Sequence, residues 1–142
     1  MVSWPAKWGP YAWGMMHITA LNFPDNADEH RKHSFVQYLK GMASNLPCPA
    51  CSTHFHAYLV ENPPDTSSRD KLQRWAWQAH NSVNRRLKKY EPTYEEANEA
   101  LIRSLVDPDT NRELNWAQKM RQEDTKRICK VQTSLDQRDA DM

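Results

Sequence analysis

Apolar residues recur along this chain at intervals of three and four, the spacing of one face of an α-helix. Five segments carry that pattern, and no convincing strand is visible. The first is predicted from about Tyr11 to Phe23, after Trp8-Gly9-Pro10 and ended by Pro24. The second is predicted from about Ala27 to Asn45, with Phe35, Leu39, Met42 and Leu46 on one side. The third opens at Cys48 and aligns Cys51, Phe55, Tyr58 and Leu59 before Asn62-Pro63-Pro64 stops it. The fourth is the clearest. Ser67 and Asp70 suggest a capping box, and Leu72, Trp75, Ala76, Ala79, Val83 and Leu87 form a continuous stripe. A second capping box, Thr93 to Glu96, starts the fifth, which is expected to bury Ala97, Leu101 and Leu105 and to close at Pro108. Short loops between amphipathic helices predict an all-α bundle. The domain is expected to span residues 1–117, and residues 118–142 read as a polar, charged tail, either a helix extension or disordered.

Composition supports helix over sheet, with three glycines in 142 residues and six tryptophans to fill a core. A formal charge of +1 gives no whole-chain field for nucleic acid. No stretch approaches the roughly 18 apolar residues of a membrane span. Met1-Val2-Ser3-Trp4-Pro5 resembles neither a signal nor a transit peptide, so the expected compartment is the cytoplasm. Stable disulfides are rare there, and a CxxC is more often catalytic or metal-binding.

Cys48-Pro49-Ala50-Cys51 is such a pair, two of only three cysteines. The positive end of a helix lowers a thiol pKa and makes thiolate available near neutral pH. Pro49 removes a backbone donor and stiffens the turn. His54 and His56 follow, so zinc is a serious rival. On a helix, however, residues two apart point about 200° apart, and at most one of these rings joins the cysteines on one metal. A thioredoxin-like site needs a preceding strand and a βαβ pattern, and neither is visible.

Two further faces carry more than packing groups. Trp77, His80, Asn81, Asn84 and Lys88 share a side of the fourth helix, offering a flat indole with several donors and acceptors. Taken alone, this is as well read as a solvated polar face. Trp13 and His17 lie four apart on the first helix, with Trp8 upstream. Each alone reads as core or as a satisfied polar edge. Together the faces suit a planar, hydrogen-bonding ligand.

With these residues assembled, the stretch from Trp8 to Lys89 resembles the Erv/ALR family of FAD-linked sulfhydryl oxidases. The elements come in the family's order: Trp8-Gly9-x3-Trp13-x3-His17, Leu46-Pro47-Cys48-x2-Cys51, Asn62-Pro63, and His80-Asn81-x-Val83-Asn84-x2-Leu87-x-Lys89. The compact form is most similar to members encoded by large DNA viruses. The resemblance implies a four-helix bundle plus a short fifth helix, with FAD at the bundle mouth. It implies a cofactor-binding set of Trp8, Gly9, Trp13, His17, Phe55, Trp77, His80, Asn81, Val83, Asn84, Leu87, Lys88 and Lys89, with no metal. Catalysis falls to Cys48, which faces a protein dithiol substrate, and Cys51, which faces the flavin. O2 is then the acceptor, reduced to H2O2. The family usually forms homodimers through its first helices, for which Met15, Met16 and Ile18 are candidates; core burial explains these three equally well.

Two departures stand out. Many members have a cysteine, joined to another further on, where this chain has Trp77, so aromatic packing must replace that staple. The shuttle cysteine pair of cellular members is also missing, and Cys129 in the tail is the only other thiol. Substrate, or a separate thioredoxin-like carrier, then has to reach Cys48 directly. Cys129 reads first as an exposed thiol of no function and second as a single-cysteine relay. A zinc-stabilised helical binding module, using the CxxC and one histidine, is the alternative from another functional class.

Overall fold

A computed structural model describes residues 5–105. The chain divides into two compact units, Met1–Leu101 and Ile102–Met142, and nearly all of the second lies outside the described residues. Pro108, Cys129, the expected boundary near residue 117 and the tail all fall outside them. The described residues form five α-helices and no strand: α1 Pro5–Leu21, α2 Glu29–Ser44, α3 Pro49–Glu61, α4 Arg69–Arg86 and α5 Tyr94–Leu105. None is long and apolar enough to cross a membrane.

Helix α1 packs on α4 and α2 on α3. All four contribute to one core, in which Met16, Phe23, Phe35, Leu39 and Leu72 are fully buried. Phe55 and Leu59 enter it from α3, and Trp75, Ala76 and Ala79 from α4. Ala43 takes a core place on α2, with Met42 and Leu46 packed beside it. Each such apolar side chain contributes about 1.5–3 kcal/mol of transfer free energy. Arg69 ties the start of α4 to the end of α1. Its backbone N–H donates to Asp25 Oδ1 (3.0 Å) and its Nε donates to the Phe23 carbonyl (2.7 Å).

Several expected boundaries move, each for a local reason. Helix α1 begins at Pro5 and passes through Pro10, which sequence reading treats as a break. Pro10 leaves the Ala6 carbonyl without its i+4 donor, but both residues are exposed and water satisfies that oxygen. The cap of α4 is Ser68, whose side chain accepts from Lys71 N–H. Ser67 is unavailable because the Asp65 carboxylate accepts both its N–H and its hydroxyl. The Thr93–Glu96 capping box forms reciprocally, at 2.8 and 3.2 Å. Helix α5 nevertheless buries nothing fully; Ala97, Leu101 and Leu105 are half-buried. The stripe on α4 leaves the core after Ala79, with Val83 half-buried and Leu87 49% exposed.

Candidate functional site

The apolar residues that leave the core surround a cavity of about 910 Å³. Helix α1 supplies Trp8, Gly9, Trp13 and His17 to its wall. Helix α3 supplies Cys51, His54, Phe55 and Tyr58, and α4 supplies Trp77, His80, Val83, Asn84 and Leu87. Lys89 and Pro92 follow from the connection, with Tyr94, Asn98 and Leu101 from α5. Tyr58, Tyr94, Asn98 and Leu101 are additions to the set expected from sequence. The α5 stripe of Ala97 and Leu101 was the available signal, since it is apolar without belonging to the core.

The cysteines sit where α3 begins. Cys48 is the N-cap, Pro49 is the first helical residue, and the Cys51 N–H donates to Cys48 Sγ at 3.2 Å. The two are joined as a disulfide, with Cα atoms 5.2 Å apart. Cys51 lines the cavity and Cys48 does not. The pair is therefore asymmetric about the cavity, with Cys51 part of its wall and Cys48 outside it.

Opposite stands an aromatic wall. The Trp13 and His80 rings stack at 4.1 Å with planes 4° apart, and Phe55 meets Trp13 edge-on at 6.1 Å. His17 Nε2 and His80 Nδ1 lie 2.9 Å apart, so one ring donates to the other. Burial pushes the His17 pKa down to about 4. His80 is also lowered to about 4, first by burial and then by the charges of His17 and Lys89. At neutral pH the pair is uncharged, which leaves one of the two facing nitrogens without a proton and able to accept the shared hydrogen bond.

Two residues of the expected set stand back from the cavity. Asn81 is buried behind the wall, its Nδ2 donating to the Pro92 carbonyl and its Oδ1 accepting from Asn84. Lys88 is not helical. Leu87 caps α4, and Lys88 takes a left-handed conformation at φ 56°. Its N–H bonds the Arg85 carbonyl (3.1 Å) while Lys89 N–H bonds that of Asn84 (2.8 Å). This Schellman turn directs the chain back so that Lys89 reaches the cavity. A side chain in the left-handed region costs about 1 kcal/mol. Lys88→Gly is therefore expected to raise stability by about 0.5–1 kcal/mol, net of its added unfolded-chain entropy, in urea unfolding.

The histidines after the CxxC diverge as the helix period requires. His54 lines the cavity, and His56 turns to α2, 3.2 Å from Ser44 Oγ. Among the described residues, no group of three or more His, Cys, Asp or Glu side chains is placed to hold a metal ion.

Residues 10–102 match the model of the Erv1 / Alr family. An African swine fever virus protein named FAD-linked sulfhydryl oxidase is 34% identical over 82 residues, covering 58% of this chain and 69% of that one. A mimivirus protein of Acanthamoeba polyphaga, named Probable FAD-linked sulfhydryl oxidase, is 33% identical over 115 residues, covering 79% and 80%. The crystal structure of the FAD binding domain of Erv1 from Saccharomyces cerevisiae superposes with a TM-score of 0.61 at 31% identity, covering 63% of this chain and 85% of that one.

Proposed function

The chain belongs to the Erv1 / Alr family, and on that premise we propose that it is an FAD-dependent thiol oxidase that introduces disulfides into protein substrates. The observation that carries this reading is a disulfide of which one residue, Cys51, lines a cavity walled by flat rings and the other, Cys48, does not.

The cavity fits the cofactor. Its volume lies at the upper end of the ~300–1,000 Å³ usual for organic ligands. Its walls offer indole and phenyl faces, and Lys89 and Arg86 on its lining suit phosphates. Trp8 also lines it, with an indole N–H that is buried and has no protein partner. A buried donor left unpaired costs about 1–3 kcal/mol, which a ligand acceptor would recover. Trp13, Phe55, His80 and Asn84 would hold the flavin and its ribityl and adenine portions, with Lys89 near the phosphates.

In the reaction, a substrate thiolate attacks Cys48 Sγ. The Cys48–Cys51 bond breaks, a mixed disulfide forms on Cys48, and the electron pair goes to Cys51 as a thiolate. A second substrate thiolate attacks the substrate sulfur of that mixed disulfide. The product disulfide departs, and the chain is left with two reduced cysteines. The start of α3 stabilises the thiolates, with the Cys51 N–H aimed at Cys48 Sγ. FAD, when bound, would supply the two-electron acceptor that lets the two reduced cysteines close again to the disulfide, their two electrons and two protons going on to O2 as H2O2. The apolar wall around Cys51 limits access of water and stray thiols.

The active unit is a homodimer joined through α1. Tyr11 (82% exposed) and Met15 (59%) form an apolar strip beside a shallow groove shared with α2. Met16 is fully buried in the core and takes no part, which is the core reading that the sequence left open beside the dimer one.

One preparation tests these statements. The purified protein is expected to be yellow, to migrate at about twice its 16.7 kDa chain mass, and to release H2O2 when given a dithiol. A colourless protein carrying stoichiometric zinc would overturn the oxidase reading in favour of a zinc-stabilised module. A monomeric yellow protein would overturn only the dimer.

A further inference from the structure

The connection between α4 and α5, residues 87–93, forms one side of the cavity through Lys89 and Pro92. Beyond the Lys88 turn, its hydrogen bonds are of two kinds. Arg85–Glu91, Tyr90–Glu96 and the Thr93–Glu96 cap are exposed, and water competes for all three. The Pro92 carbonyl, by contrast, is held by two side chains of α4, Trp77 on the cavity lining and Asn81 behind it. Trp77 Nε1–H donates to it at 2.8 Å and Asn81 Nδ2–H at 2.9 Å. Trp77 and Asn81 are four apart, so both reach one oxygen and fill its two lone pairs.

Asn81 is the only fully buried polar side chain among the described residues, at 7% exposure. Its Oδ1 is occupied by Asn84 Nδ2 at 3.1 Å, which fixes the orientation of a cavity-lining amide. Trp77 also meets Tyr94 edge-on at 5.8 Å, and the Arg74 guanidinium lies 4.2 Å from the centre of the same tyrosine ring. The start of α5 is thus seated on the same indole that holds Pro92.

We propose that the Pro92 carbonyl is a latch: Trp77 and Asn81 together hold the 87–93 connection closed along the cavity and so set how fast FAD leaves. Asn81 is then a positioning residue, acting through Pro92 and Asn84, and not a cofactor contact. The clamp contains no sulfur, so cofactor retention by this segment is insensitive to reductant. This inference rests on the FAD reading above.

Because either donor alone still satisfies the oxygen, the two substitutions should be non-additive. Flavin release is followed as the recovery of free-flavin fluorescence after dilution of the loaded protein. Trp77→Phe and Asn81→Leu singly should speed release by less than about threefold. Together they should speed it by more than about thirtyfold, beyond the product of the singles. Association rate and helical circular dichroism should hold, which a general loss of folding would not allow. Tyr90→Phe, which removes an exposed bond on the same segment, should change release by less than about twofold.

A folded double variant that releases FAD at the native rate would overturn the latch. A native protein that binds no FAD at all is a different result, and it overturns the oxidase reading itself. If that double variant does not fold, trypsin cleavage after Lys88 or Lys89 in the milder pair Trp77→Phe/Asn81→Ala, which also removes both donors, reads the same opening. Cleavage should accelerate in step with flavin release and slow on adding FAD; cleavage at the native rate counts against the proposal.

Discussion

Replacing Cys51 by serine is expected to reduce dithiol oxidation to the uncatalysed background, a loss of at least about 10³-fold or ~4 kcal/mol of barrier. The backbone N–H at this position, which donates to Cys48 Sγ, survives the substitution. So does the helix start, because Cys48 remains the cap and Pro49 the first helical residue. What is lost is the Cys51 sulfur, and with it the disulfide partner that takes the electron pair when a substrate thiolate attacks Cys48. FAD content and the unfolding midpoint should stay near the native values, since the disulfide closes a separation of only three residues. Activity surviving Cys51→Ser would refute the role assigned to that cysteine.

The same variant tests the polarity of the pair. Given the disulfide form of a protein substrate, its Cys48 thiolate attacks that disulfide, one substrate thiolate leaves, and the mixed disulfide on Cys48 should accumulate and be visible by non-reducing electrophoresis. In Cys48→Ser, the remaining Cys51 lies on the cavity wall. With FAD bound, it should be alkylated by iodoacetamide at least about tenfold more slowly than Cys48 in Cys51→Ser. The opposite order would exchange the two roles.

The core was readable because its residues repeat on faces that meet other faces. Phe35 and Leu39 on α2, and Leu72, Trp75, Ala76 and Ala79 on α4, are buried as their spacing requires. Val83 and Leu87 continue the same period, yet they open onto the cavity. Periodicity names a side of a helix and is silent on where the opposing helix ends. The cap of α4 was misplaced by one residue because Asp65 competes for Ser67, a local contest between equivalent polar groups. Lys88 was read as helical because no glycine marks the left-handed turn that ends α4. Asn81 shares a face with His80 and Asn84 in sequence, but only the return of the chain at Pro92 decides that its amide is spent on a backbone carbonyl. The thiol pair was legible as reactive, and its direction toward the cavity was implied only through the family resemblance. The His17–His80 bond joins residues 63 apart, and no spacing rule reaches that far.

That histidine pair should make the apoprotein acid-labile in a defined window. Both rings are held at a pKa of about 4 in the fold, against 6.5 for an unrestrained ring. Above pH 6.5, folded and unfolded chains are both neutral there, and the full stability is present. As pH falls from 6.5 toward 4, the unfolded chain takes up protons that the folded chain refuses, so stability falls through that range and levels off below it. A single ring shifted over this span is worth roughly 3 kcal/mol, and the two rings are coupled, so the total is less than twice that. Lys89 beside the pair opposes a positive charge on His80. The carboxylates Asp65 and Glu96 are exposed and lowered by hydrogen bonds from Ser67, and from Thr93 and Tyr90. Their contribution is lost as pH falls further, through their depressed folded values. Urea midpoints of the apoprotein measured at pH 7.5, 6, 5 and 4 should therefore decline chiefly below pH 6.5. In His17→Phe/His80→Phe the slope between 6.5 and 4 should flatten. A double variant with the native slope would assign the acid sensitivity elsewhere. The direction follows from the geometry, since a shared hydrogen bond between two imidazoles needs one nitrogen without a proton. Once both rings are charged, the bond at 2.9 Å becomes a repulsion beside the Trp13 stack that forms the cavity wall.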